Sequence, residues 1–133
     1  MINLFINTIK DKLKDYKPFL KLIDSIMNEN FPIGIEGVEG LFKAVLIASL
    51  SEETGKKLTV ITADERESES LKKDLQVLGK DTLFFTGWNK RAYTHGMISG
   101  SIYGSRIEIL SDMLALEQNI VITTLRTYLS PLP

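Results

Sequence analysis

The chain has 133 residues, 44% of them hydrophobic and 25% charged, which is enough to bury a real core and excludes a disordered polyelectrolyte. Sixteen basic and seventeen acidic side chains leave a formal charge of −1, so a net basic surface that holds nucleic acid by charge alone is not implied, although a local patch remains compatible. With no cysteine and one histidine, His95, disulfides, thiolate metal sites and multi-histidine metal sites are excluded, and neither a Ser-His-Asp nor a Cys-His arrangement can be assembled.

No segment approaches the ~20 apolar residues of a membrane span. Lys10, Asp11 and Lys12 follow the first few apolar residues too closely for a signal peptide, so a cytoplasmic protein with no membrane contact is expected. Residues 1–30 predict two helices, with Ile2, Phe5, Ile9 and Leu13 on one and Phe19, Leu22, Ile23, Ile26 and Met27 on the next. Pro18 marks the break, because it lacks an N–H and suits a first helical turn.

Residues 31–133 then read as alternating strand and helix. Residues 33–35 predict a short strand, Gly37-Val38-Glu39-Gly40 a turn, and residues 41–53 a helix stopped by a left-handed Gly55. Residues 58–61 are mostly β-branched and apolar, the pattern of a strand covered on both faces. Thr62 and Asp64 are both N-cap candidates, with Glu65 and Glu67 three residues after each. Leu71, Leu75 and Leu78 line a helix that Gly79 ends, and residues 82–85 predict a third strand. Gly87, Gly96, Gly100 and Gly104 punctuate a long loop over residues 86–104, which also holds Trp88, Tyr93 and Tyr103. A helix opening near Ser105 carries Ile109, Met113 and Leu116; residues 120–122 predict a fourth strand, and Thr123 or Thr124 caps a last turn. The expected fold is α/β, a parallel sheet flanked by helices and joined by right-handed crossovers. Ser130-Pro131-Leu132-Pro133 reads as the start of a linker, so a longer parent chain is expected.

The glycine turn carries the strongest chemical signal. A working phosphate loop reads G-x-x-x-x-G-K-[ST] between strand and helix: glycines let backbone N–H groups wrap the phosphates, lysine reaches the terminal phosphates, and the hydroxyl holds magnesium. The stretch Gly37-Val38-Glu39-Gly40-Leu41-Phe42-Lys43-Ala44 keeps the first glycine and the lysine. Phe42 stands where the second glycine belongs, Ala44 lacks the hydroxyl, and Glu39 adds negative charge beside the phosphate position. Together these changes cost several kcal/mol, roughly, of phosphate binding. The expectation is therefore a degenerate P-loop with no catalytic residue, no metal and no cofactor of its own, in which Lys43 is a solvated helix residue. Asp64 and Glu65 follow an apolar strand as magnesium-binding acids do, but they open a helix and suit its N-terminal dipole, so capping is their expected role.

Trp88, Lys90, Arg91 and Tyr93 interleave aromatic and basic side chains in the long loop, a pattern that stacks on bases, grips a backbone or makes an interdomain contact. The alternative is that Trp88 and Tyr93 pin the loop to the sheet while the charges face water. Arg106, with Glu108 and Arg126, is placed near the sheet's end and joins them as a candidate partner or nucleic-acid contact, with structural pairing as the default. His95, between Thr94 and Gly96, reads as an exposed loop residue.

Taken with the lapsed glycine turn, three stretches resemble the N-terminal module of the bacterial transcription-repair coupling factors (Mfd), which is itself similar to the first domain of UvrB. They are Phe85-Thr86-Gly87-Trp88-Asn89-Lys90-Arg91-Ala92-Tyr93, Ser105-Arg106-Ile107-Glu108-Ile109-Leu110, and Val121-Ile122-Thr123-Thr124-Leu125-Arg126-Thr127-Tyr128-Leu129-Ser130-Pro131. The likeness covers roughly residues 33–133. It implies a UvrB-like, degenerate P-loop NTPase-like domain without nucleotide chemistry, acting as a scaffold through intramolecular domain contacts. The parent implied is an ATP- and magnesium-dependent DNA translocase that displaces stalled RNA polymerase and recruits UvrA, mostly through the following domain. UvrB's tyrosine-rich DNA-clamping hairpin has no counterpart here. Two other readings stay open on the residues alone: a P-loop fragment that binds ATP through Lys43, and a single-strand nucleic-acid binder using Trp88 and Tyr93.

Overall fold

The computed structural model describes residues 2–85, 87, 100–117 and 119–131. Helices α1 (Ile2–Lys14) and α2 (Lys17–Met27) form an N-terminal hairpin, with Pro18 in the first turn of α2 as its missing N–H allows. Helix α3 (Leu41–Thr54) buries residues on more than one face, from Ala44 to Ser51, because α2 packs on one side of it and α4 on another. It ends at Gly55, which adopts φ 64° and returns its N–H to the Ser51 carbonyl at 3.1 Å.

Strand β1 (Leu58–Thr62) leads into helix α4 (Glu65–Val77), followed by β2 (Leu83–Phe84), helix α5 (Gly100–Ala115), β3 (Ile120–Thr124) and the single turn α6 (Leu125–Tyr128). The sheet is parallel, as the alternating pattern predicts, in the order β1-β3-β2. Leu58 pairs with Ile120 and Thr62 with Thr124 along one side of β3, and Leu83 pairs with Val121 along the other. Every residue of β3 is buried, as its central place requires. One apolar cluster joins Ile6, Leu13 and Phe19 of the hairpin, Ala44, Val45, Leu46 and Ala48 of α3, Leu71, Leu75 and Leu78 in and just after α4, and Ile120 and Ile122 of β3.

Several expectations change. Residues 33–35 form no strand: Gly34 brings no side chain to a sheet, Pro32 no donor, and the segment instead lies extended with Ile35 and its neighbours largely exposed. The described sheet therefore has three strands rather than four. Strand β1 forms an edge of the described sheet and is open on one face, with Thr59 and Ile61 exposed, rather than covered on both as expected. Of the two N-cap candidates, Asp64 caps α4, its carboxylate accepting the Glu67 N–H at 2.8 Å, while Thr62 stays in β1 and turns its hydroxyl inward. Helix α5 already includes Gly100, five residues ahead of the predicted Ser105. The helix runs through Gly100 and Gly104 because its later turns anchor it through buried Arg106, against a propensity cost of about 1 kcal/mol per glycine. Thr124, the second of its two candidates, caps α6 by accepting the Thr127 N–H.

Candidate functional site

The glycine turn sits at the first turn of α3, beside the carboxyl end of β1, where open α/β sheets place their ligands. Gly37 and Gly40 both take positive φ, 75° and 57°, and Gly40 is the N-cap of α3 without a capping side chain. The turn is thus real, but with residues 33–35 unpaired it is not preceded by a strand, and the strand–turn–helix frame expected around it is incomplete.

The three residues after the turn point to three different places. Phe42 is 41% exposed and faces a groove against the N-terminal hairpin. The Lys43 side chain stays well exposed on α3, as expected of a solvated helix residue, and donates to Glu67 Oε1 at 3.0 Å. Ala44 is fully buried in the apolar cluster. Glu67 uses its second oxygen to accept the Ala63 N–H at 3.0 Å, so a single carboxylate links α3 to the β1–α4 connection. That backbone bond first, and then the bond from Lys43, hold the Glu67 carboxyl below its ordinary value.

At the same end of the sheet, buried hydroxyls are spent on the chain itself. Thr62 bonds the Ser68 hydroxyl and lies 3.0 Å from the Asp64 carbonyl; Thr123 donates to the Phe85 carbonyl at 3.1 Å; Thr124 donates to the Thr127 hydroxyl at 2.9 Å. Those Thr62 and Thr124 bonds stay within six residues of sequence, whereas the Thr123 bond reaches Phe85 across 38 residues and depends on the packing of the strands.

A curated relative, the transcription-repair-coupling factor of Borreliella burgdorferi, is 30% identical over 116 residues, which cover 86% of this chain. The chain is similar to a transcription-repair-coupling factor. It spans about a tenth of that relative's length. No family profile matches the chain, and no solved structure matches it.

The stretches that carry the coupling-factor resemblance are described only in part. Trp88, Lys90, Arg91, Tyr93 and His95 lie outside the described residues. Arg106 does not reach the surface. It is fully buried, its guanidinium stacked 4.2 Å from the centroid of the Phe85 ring, with Nη2 donating to the Pro131 carbonyl at 3.2 Å. Burial pulls its pKa down from the ordinary guanidinium value. Arg106 is thus a structural cation that joins α5 to Phe85, just after β2, and to the C-terminal segment, the structural pairing expected as its default. Among the described residues no group of three or more His, Cys, Asp or Glu side chains is placed to hold a metal, and no helix is long and apolar enough to cross a membrane.

Proposed function

We propose that this chain is the N-terminal, UvrB-like module of a transcription-repair coupling factor, and that it acts as a non-catalytic scaffold in transcription-coupled nucleotide excision repair. The similarity over 116 residues carries the reading. The state of the glycine turn supports it: the methyl of Ala44 is sealed in the core where a magnesium ligand is needed, Phe42 fills the second glycine's place, and Lys43 is engaged by Glu67. These residues do not fit a magnesium triphosphate. In the parent protein, ATP and magnesium would serve motor domains elsewhere, where DNA and RNA polymerase would also be engaged, and UvrA would be met mostly by the following domain.

Calorimetric titration of the chain with Mg-ATP tests the non-catalytic part, with no binding heat expected. Tight binding that Lys43→Ala abolishes would instead establish the nucleotide-binding alternative. Titration of UvrA against a longer protein containing the following domain tests the repair assignment; saturable binding is expected, and its absence would count against the assignment whatever the Mg-ATP result.

A further inference from the structure

The N-terminal hairpin leaves an open groove of about 830 Å³ between itself, residues 33–38 and the start of α3. Leu13 and Phe19 form buried parts of its lining, and Ile35 and Phe42 stand half in water along it. Its charged lining residues are Lys12 of α1, Lys21 of α2 and, on the extended segment, Glu36.

The lysines of α1 divide by face. Lys10 and Lys14 lie one turn apart on the side towards α3 and pair with Glu52 and Glu53 at 3.0 and 3.6 Å. Lys12, about 200° round the helix from Lys10, lines the groove instead. Among the described residues neither Lys12 nor Lys21 forms an ion pair or a side-chain hydrogen bond, whereas the cations towards α3 are neutralised.

We propose that this groove docks an amphipathic helix of a partner protein, with apolar anchors at i, i+3 or i+4, and i+7 and acidic side chains along one flank. The apolar walls supply the burial that drives such helix-in-groove binding. Lys12 and Lys21 complement the acidic flank from the hairpin side, and Glu36 on the other wall repels acids there, so the groove reads both the charge and the facing of its occupant. A second copy of this chain offers Leu4 and Phe5 on α1, a helix whose Lys10, Lys12 and Lys14 outnumber the single acid Asp11. It also offers Tyr103, Ile107 and Leu114 on α5 beside Glu108 and Asp112, so self-association is the competing outcome that the test must separate. The proposal does not depend on the coupling-factor reading.

The test is fluorescence anisotropy of the full chain with a labelled helical peptide of about 18 residues, leucine at the anchor positions and glutamate along one flank. Saturable binding is expected, weakened at least ~10-fold by the double variant Lys12→Glu/Lys21→Glu and by Ile35→Asp. All three positions are exposed, so circular dichroism is expected to show an unchanged fold. A matched peptide with lysine in place of glutamate is expected to bind at least ~10-fold more weakly. Equal affinity for the two peptides, or no saturation by the acidic one at about millimolar concentration, would overturn the proposal. So would concentration-dependent dimerisation of the chain that the same substitutions abolish, which would make the groove a self-interface.

Discussion

Lys43 Nζ lies 3.0 Å from Glu67 Oε1, across 24 residues of sequence, and this contact ties the first turn of α3 to the first turn of α4. The lysine that follows the glycine turn here serves the fold. Both side chains remain well exposed, at 39% and 40%, so the pair by itself stabilises by less than about 1 kcal/mol. Its interest lies in what Glu67 also holds, the Ala63 N–H.

Stability is expected to decline in acid through Glu67 and Glu52. Glu67 is held below the ordinary value of 4.5 by the Ala63 N–H and then by Lys43. Burial pushes Glu52 up, but the bonds from Lys80 and Lys10 outweigh it, and its pKa also ends below 4.5. A carboxyl whose folded pKa is depressed contributes stability that is complete above its unfolded value and is lost as pH falls through the folded one. The urea midpoint should therefore drop between about pH 5 and pH 3, and Glu52→Gln/Glu67→Gln should flatten that drop. An acid limb of unchanged steepness in the double variant would contradict the assignment.

Gly55→Ala should destabilise the protein by about 1 kcal/mol, because the left-handed cap at φ 64° strains any residue with a Cβ even though open space surrounds it. Gly34→Ala is the control. That position also has open space but no left-handed φ, so a change within about 0.5 kcal/mol is expected. Chemical denaturation of the two variants side by side decides the matter; equal losses would show that the helix stop is not conformational.

Arg106→Lys should cost about 2 kcal/mol despite keeping the charge. An ammonium cannot lie flat on the Phe85 ring while donating to the Pro131 carbonyl, as the planar guanidinium does. Guanidinium chloride unfolding checks this, and a variant as stable as the parent chain would mean that the stack is incidental. If Arg106 instead served as an outward contact, the substitution would leave stability untouched.

Much of the architecture was legible because local chemistry and tertiary structure agree. Gly55 stops α3 and Gly79, at φ 75°, follows α4, since glycine alone reaches that backbone region without strain. The leucines of α4 fall on one face, and Leu75 is fully buried there. Residues 33–35 depart from the pattern: an apolar triplet reads as a strand, but a strand exists only when a neighbour supplies its hydrogen bonds, and none among the described residues reaches it. The extended segment carries its isoleucines to the groove instead.

By itself the sequence determined the helices other than the start of α5, the parallel alternation and the glycine stops, because periodicity and backbone φ are properties of single residues and their near neighbours. Only the tertiary structure decided that Lys43 meets Glu67, that Arg106 turns inward onto Phe85, and that Lys12 faces a groove while Lys10 and Lys14 are neutralised. Each of those depends on which distant segment packs alongside, and the packing is settled by burying the shared apolar cluster as a whole, which no local pattern encodes.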